Sequence, residues 1–149
     1  MRAVVTRVNG ASVTIDGEVT GKIGRGFLIL LGITQEDTPE ICRKLAEKVL
    51  GLRIFPDENY KMNKGLADVG GSVLVVSQFT LYGDCSHGRR PHFLAAAGPD
   101  QAIPLYEQFL EECTRLGFPP QHGTFGAHMQ VASINDGPVT MIVDTRDLK

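Results

Sequence analysis

The sequence has 149 residues, of which 42% are hydrophobic and 21% charged, enough for one globular domain with its own core. Its formal net charge of -2 excludes a global basic field for extended nucleic-acid binding, although a local patch can still grip RNA. The three cysteines lack metal-ligand spacing and indicate a reducing compartment. There is no signal-peptide pattern and no apolar run of membrane-spanning length, so we expect a single cytoplasmic domain over residues 1–149.

The first third of the chain alternates apolar and polar residues between glycine turns, which predicts strands, and a helix follows. The turn signals are Asn9-Gly10 and Asp16-Gly17. Thr38 is placed to cap the helix, and Pro39 suits its first turn. We predict strands at Ala3–Val8, Ala11–Ile15, Glu18–Thr20 and Phe27–Gly32, and a helix from Thr38 to about Leu52.

The apolar run Val73–Val76 follows two glycines and is typical of a strand buried on both faces. Polar Ser77, Gln78 and Thr80 come directly after it, where the strand reaches the edge of the core. Polar groups held by a rigid element at such an edge can form a reactive site. Simple continuation of the strand, with Phe79 pointing inward, explains the same residues.

The rest of the chain predicts a long polar loop, a helix and three final strands. The loop, Tyr82–Gly98, is long enough to indicate a functional role. Asn135–Pro138 reads as the turn between the last two strands, with a trans peptide bond as the default before Pro138. The helix is predicted from about Asp100 to Leu116, and the strands at Gly123–Gly126, Met129–Ile134 and Val139–Val143.

Strands at both ends of the chain, with helices between them, do not make a doubly wound sheet. They favour an α+β fold. We predict a layered β/β/α domain of mostly antiparallel, barrel-like sheets with two main helices, in the order ββ(βα)(βα)βββ.

Three other chemistries have weaker support. Cys85, His87 and His92 lie close together in sequence, but their spacing fits no standard zinc site. Ser77 could join a histidine and an aspartate in a triad, but it lacks a glycine-flanked nucleophile elbow. Arg89-Arg90 could bind phosphate or could be solvated loop charge, and the sequence does not separate these two readings.

Two motifs together resemble the D-aminoacyl-tRNA deacylases. Gly71–Leu81, with Ser77-Gln78-Phe79-Thr80-Leu81, is similar to one signature strand of that family, and Asn135–Thr140, with Gly137-Pro138, is similar to its Gly-cisPro motif. Tyr82–His87 is less typical of the family. Further matches are Arg7-Val8, Ala11-Ser12-Val13, Gly17-Glu18, Arg53-Ile54-Phe55, Lys61-Met62-Asn63, Gly88, Arg90-Pro91 and Phe93.

The resemblance implies hydrolysis of the ester between a D-amino acid and the 3′-terminal adenosine of tRNA, which keeps D-residues out of translation. It implies a homodimer in which the Gly137-Pro138 motif of one subunit, with a cis peptide bond, reaches into the pocket of the other. The backbone carbonyls of this motif would hold the substrate's α-amino group and exclude L-amino acids, and Arg7 would hold the motif in place. Glycyl-tRNA, including tRNA-Ala mischarged with glycine, would escape this exclusion. No metal, cofactor, membrane or DNA is expected.

Two mechanisms remain open on this resemblance. Thr80 could be a nucleophile, but neither motif offers it a base. Alternatively, backbone N–H groups near Phe79 and Thr80 form an oxyanion hole, water attacks with help from the ribose 2′-hydroxyl, and Ser77 and Gln78 position the substrate. Phe125, Ala127 and Met129 are candidates to contact the terminal adenine, and ordinary core packing explains them almost as well.

Two other function classes are kept as alternatives. A non-catalytic nucleotide-binding dimer would use Arg89 and Arg90 on phosphate and the Phe79 region on a base. An esterase for small acyl esters would turn over substrates that carry no RNA.

Overall fold

The first and last strands are longer than their sequence patterns predict. In the computed structural model, which describes residues 1–149, β1 spans Arg2–Ile15 and β8 spans Gln130–Asp144. Asn9-Gly10 does not turn the chain, because β1 continues through it and pairs with β8 on both sides. The remaining strands are β2 (Glu18–Ile23), β3 (Gly26–Gly32), β4 (Phe55–Pro56), β5 (Met62–Lys64), β6 (Ser72–Ser77) and β7 (Gln121–His122).

The two predicted helices are present, and a short third one precedes β6. The Thr38 side chain caps the first helix by accepting a hydrogen bond from the Ile41 amide. Its apolar side packs against the last long helix, which carries Pro104 in an early turn. The helices are α1 (Pro39–Leu50), α2 (Leu66–Val69) and α3 (Pro99–Arg115), and two 3₁₀ turns cover Phe79–Tyr82 and Thr145–Asp147. No helix is long and apolar enough to span a bilayer.

Six strands form one sheet in the order β2-β1-β3-β6-β7, with β8 also paired to β1. The pairs that β1 makes are antiparallel, whereas β3–β6 and β6–β7 are parallel. The sheet curls until β2 approaches β7: a Cβ atom on Gly21 would lie 2.9 Å from the carbonyl oxygen of His122. The absence of a side chain at Gly21 therefore permits the near closure of a barrel, and the predicted α+β, barrel-like fold is confirmed.

Each face of the sheet has its own core. On β3, Phe27 and Ile29 face the helices and join a cluster of 23 buried residues, whereas Leu28 faces the barrel interior and joins a cluster of seven. On β6, Val75 and Val76 divide between the two clusters in the same way. The continuous apolar runs in these strands follow from burial on both faces.

Asp144 fastens the end of β8 to β1. Its buried carboxylate accepts hydrogen bonds from Arg2 Nε and from Arg146 Nη2, each at 3.0 Å. Burial acts to raise the pKa of this carboxyl, but the hydrogen bonds from Arg146 and Arg2 outweigh burial and hold the pKa well below its usual range. The resulting stability is present above the ordinary aspartate pKa of about 4 and is lost as the pH falls towards the lower, folded-state pKa.

Replacing Asp144 with asparagine is therefore expected to lower the free energy of unfolding by about 1–3 kcal/mol at neutral pH, because hydrogen bonds to a charged carboxylate are lost. The difference from the unmodified protein should shrink below about pH 4. Denaturant unfolding at about pH 7 and about pH 2.5 measures both effects. The control is Asp147→Asn, an exposed carboxyl on the adjoining turn. An equal loss at both pH values would contradict the assignment.

Candidate active site

The end of β6 opens onto a cavity of about 280 Å³. Ser77 is the last residue of the strand and pairs with Leu31 of β3. The backbone N–H of Gln78 donates to the Leu31 carbonyl at 2.8 Å, and the chain then enters the 3₁₀ turn at Phe79. The parallel ladder thus places the first polar residues after the apolar run at the cavity wall.

The cavity brings together six of the residues singled out from the sequence. Ser77, Gln78 and Phe79 form one side. The segment after β7, predicted as a strand at Gly123–Gly126, is instead irregular, because β7 ends at His122 after pairing with two residues of β6. That segment contributes Phe125, Ala127 and Met129 to the other side of the cavity.

The rest of the lining is mostly apolar, and nothing in the sequence beyond hydrophobicity marks these residues as part of a site. Ala97 comes from the end of the long loop, and His128 lies between two of the predicted residues. His128 shares the cavity with Ser77, but no hydrogen bond joins their side chains. The remaining lining residues are Leu31, Ile33, Val76, Ala102, Gly126 and Val131.

Thr80 lies beside the cavity, not in its lining. Its side chain is exposed, and its hydroxyl accepts a hydrogen bond from Gln78 Nε2. An amide neither accepts a proton at neutral pH nor activates a hydroxyl, so this contact orients Thr80 without making it a nucleophile.

The 3₁₀ turn presents backbone donors at the same position. It begins without a side-chain cap, and Phe79 and Thr80 are its first two residues. The leading N–H groups of a helical turn have no acceptor within the turn. They can therefore hold a negative oxygen, which is the chemical requirement of an oxyanion hole.

Phe125 and Met129 each have one side on a core and another on the cavity. Phe125 contacts Tyr106 with ring centroids 5.8 Å apart and packs against the larger cluster. Met129 packs against the smaller cluster, and a Cβ atom on Gly123 would reach its sulfur. Both side chains are only partly buried, so each offers a surface to a ligand as well as to the core.

Gly137-Pro138 does not form a hairpin turn, and that expectation is wrong. The segment is a bulge within β8: Thr6 pairs with Thr140 and Val8 with Asn135, so two steps along β1 oppose five along β8. The excess residues protrude because β1 is paired with β8 on both sides of them. The Gly137-Pro138 peptide bond is cis.

Two side chains hold this bulge in place. Arg7 is buried, and its guanidinium donates to the carbonyls of Asp136 (2.9 Å) and Ile54 (2.7 Å) and lies 3.4 Å from the Asp136 carboxylate. The Asn135 amide accepts from Val139 N at 2.8 Å and donates to the Thr140 hydroxyl at 3.0 Å. The Arg7 contacts are those that a residue holding the motif would make.

Glycine is required at position 137. Its φ of +137° lies in a region that other residues rarely adopt. A Cβ atom there would lie 2.7 Å from Val139 Cγ2 and 3.0 Å from Arg7 Nη2. Gly137 and Pro138 are exposed, and neither they nor Arg7 lines the cavity of their own chain.

The residues considered for a zinc site do not form one. Cys85 and His87 are exposed, and His92 Nε2 lies 3.1 Å from Asp84 Oδ2. Cys85, His87 and His92 do not come together in a group that could hold a metal ion. His92 and Asp84 instead close a loop beside the cavity.

Comparison with known proteins finds similarity along nearly the whole chain. The family model described as D-Tyr-tRNA(Tyr) deacylase matches residues 4–144. A Thermus aquaticus protein named D-aminoacyl-tRNA deacylase is 56% identical over 147 residues, covering 99% of this chain and 97% of its own. A protein of the same name from Desulforudis audaxviator is 54% identical over 148 residues, covering 99% of each chain.

Two solved structures share the fold. The first, titled c-Myc DNA Unwinding Element Binding Protein, has a TM-score of 0.91 at 44% identity and covers 97% of this chain and 98% of its own. The second, titled as a probable eukaryotic D-amino acid tRNA deacylase, has a TM-score of 0.81 at 17% identity and supports the fold alone. With a family match from β1 to the end of β8 and relatives above half identity, the chain belongs to the D-Tyr-tRNA(Tyr) deacylase family.

Proposed function

We propose that this chain, acting as a single domain of 149 residues, is a D-aminoacyl-tRNA deacylase that releases free D-amino acid and tRNA. The observation that carries the proposal is the cavity at the end of β6, where Ser77, Gln78 and Phe79 face Phe125 and Met129. The names of the relatives and the family match support the same activity. The proposal places the protein in the cytoplasm, where aminoacyl-tRNA is made and used.

The complete site is proposed to need two copies of the chain. The Gly137-Pro138 bulge is exposed and separate from the cavity of its own chain. Within one chain β8 pairs only with β1, so its other edge is unpaired, and it exposes Ile134 and Ile142. A long strand edge of this kind is a template for association. Val131 of β8 lines the cavity, so a partner on this edge would meet the cavity directly.

In such a homodimer the bulge of one subunit enters the cavity of the other, and two-fold symmetry makes two equal sites. The carbonyl oxygens of Gly137 and Pro138 accept hydrogen bonds from the substrate's α-ammonium group. With the ammonium and ester positions fixed, the side chain of an L-amino acid points into the backbone and is excluded by contact. Glycine has no side chain to exclude, so glycyl-tRNA, including mischarged tRNA-Ala, is also hydrolysed.

The proposed chemistry uses water as the nucleophile. Water attacks the ester carbonyl carbon, and the N–H groups of Phe79 and Thr80 hold the resulting oxyanion. Collapse of this intermediate breaks the bond to the ribose 3′-oxygen, which gains a proton while the amino acid leaves as the free acid. The ribose 2′-hydroxyl assists these proton transfers, and Ser77 and Gln78 position the ester. Phe125, Ala127 and Met129 contact the terminal adenine.

The proposal is tested by incubating the purified protein with matched D- and L-tyrosyl-tRNA, with and without a chelator. We expect the D-ester to be cleaved at least about 100-fold faster than the L-ester, because the bulge excludes L-side chains by contact. The chelator should have no effect. The variant Ala127→Trp, which fills the cavity, is the control for a contaminating hydrolase.

Other outcomes would contradict the proposal. Equal rates on both esters would remove the chiral filter. Salt-sensitive binding of tRNA without turnover would favour the nucleotide-binding alternative. Turnover of simple esters that carry no RNA, at rates matching the tRNA substrate, would favour the small-ester alternative.

Substitution of Thr80 distinguishes attack by water from attack by the Thr80 hydroxyl. Thr80→Ala is expected to lower kcat for D-tyrosyl-tRNA by less than about tenfold, because the variant loses only the hydrogen bond between the hydroxyl and Gln78 and no attacking group. The matched control is Thr80→Ser, which keeps the hydroxyl. Complete loss of activity in Thr80→Ala, with full activity in Thr80→Ser and unchanged unfolding of both, would establish Thr80 as the nucleophile.

A further inference from the structure

The long loop before α3 closes on itself beside the cavity. Asp84 and His92 exchange backbone hydrogen bonds of 2.8 and 3.1 Å, and their side chains lie 3.1 Å apart. The Ser86 amide donates to Asp84 Oδ1 at 2.8 Å. Residues 84–92, termed here the arginine loop, therefore project from a closed base, with Gly88 at a φ of +66° near the tip.

The base of the arginine loop is fixed at the mouth of the cavity. Phe93 meets Phe79 edge to face, with ring centroids 5.1 Å apart, and Phe79 lines the cavity. The next two carbonyls, of Leu94 and Ala95, accept hydrogen bonds from the side chains of Gln35 and Thr34. A few residues later, Ala97 lines the cavity itself. The position of the loop relative to the cavity is therefore set by contacts at its base.

The tip of the arginine loop carries uncompensated positive charge. Arg89 and Arg90 are both exposed, and neither makes a salt bridge. The nearest carboxylate in sequence, Asp84, is engaged by Ser86 and His92. Hydrogen bonds from Ser86, together with the His92 side chain, hold the pKa of Asp84 below its usual range. The chain as a whole is acidic, with a net charge of -2, so this local charge is a specific feature.

We propose that Arg89 and Arg90 bind the phosphodiester groups of the unpaired nucleotides that precede the terminal adenosine of tRNA. The inference rests on the proposed function, because it assumes that the cavity takes that adenosine. Gly88 lies four residues after Asp84 at the closed base, which limits the reach of the loop to about 14 Å. Stacked nucleotides advance about 3.4 Å each, so this reach covers the last few phosphates.

Arginine suits this task. Its planar guanidinium pairs with two phosphate oxygens at once. Two exposed arginines could instead bind the acidic surface of another protein. Such a partner would not explain why they lie beside a cavity with exposed aromatic groups. If the terminal adenosine of tRNA occupies the cavity, the RNA chain that precedes it must run out through the mouth, where the base of the arginine loop lies. The loop then supplies affinity for the tRNA backbone that the mostly apolar cavity does not supply.

The test compares the double variant Arg89→Gln/Arg90→Gln with a control, Lys44→Gln/Lys48→Gln, which removes two exposed charges from α1. Binding of uncharged tRNA and kcat/KM for D-tyrosyl-tRNA are measured at several salt concentrations. In the arginine variant, tRNA binding and kcat/KM for D-tyrosyl-tRNA should each fall by about tenfold. The slope of log Kd against log salt should fall by about 1.4, the value for two phosphate contacts on a single strand. Arg89→Lys/Arg90→Lys should retain the slope.

D-tyrosyl-adenosine, which carries the ester but no phosphodiester, separates this inference from the proposed function. The arginine variant should hydrolyse it as fast as the unmodified protein does. Unchanged tRNA binding and salt slope in the arginine variant would overturn the inference while leaving the deacylase proposal intact. If the unmodified protein hydrolyses neither substrate, the proposed function fails, and the binding measurement still decides whether the arginines contact tRNA. The inference would also be overturned if Lys44→Gln/Lys48→Gln reduced tRNA binding and the salt slope as much as Arg89→Gln/Arg90→Gln does.

Discussion

The mismatch in length between β1 and β8 is the constraint on which the proposed site depends. Both strands are held in register at their ends, by the Arg2–Asp144 contact on one side and the pairing through Thr14 on the other. Between these points β8 has more residues than β1 can pair, so the excess must leave the sheet. Arg7 determines how it leaves: buried guanidinium contacts to Asp136 and Ile54 fix the inner side of the bulge and turn Gly137-Pro138 outward.

A second constraint builds the other part of the site. Burial on both faces gives β3 and β6 a rigid parallel ladder, and that ladder ends at Leu31 and Ser77. The next residues leave the core and form a 3₁₀ turn without a side-chain cap, and its first amides are the proposed oxyanion donors. The proposed site thus combines two backbone features, a turn to bind the developing negative charge and a bulge to exclude L-amino acids. Side chains such as Gln78, Arg7 and Asn135 mainly hold these features in position.

The sequence predicted the parts of this structure that local patterns encode. The Thr38 cap, the double-sided burial of β6 and the position of Ser77–Phe79 at a core edge all follow from neighbouring residues. The errors fall where tertiary pairing overrides local signals. Asn9-Gly10 and Asn135–Pro138 both carry turn chemistry, but each is embedded in a strand because β1 and β8 pair along their length. His128 and Ala97 were missed as cavity residues because only the folded chain brings their segments to β6.

Subunit complementation tests the proposal that each site combines the cavity of one subunit with the bulge of another. Ala127→Trp fills the cavity and leaves the bulge intact, whereas Gly137→Val distorts the bulge and leaves the cavity intact. Each variant alone should be inactive on D-tyrosyl-tRNA. If the site is shared, co-refolding the two in equal amounts should restore about a quarter of the unmodified activity, because half of the dimers are mixed and each has one intact site. Activity that stays at the level of the separate variants, with mixed dimers present, would contradict the claim.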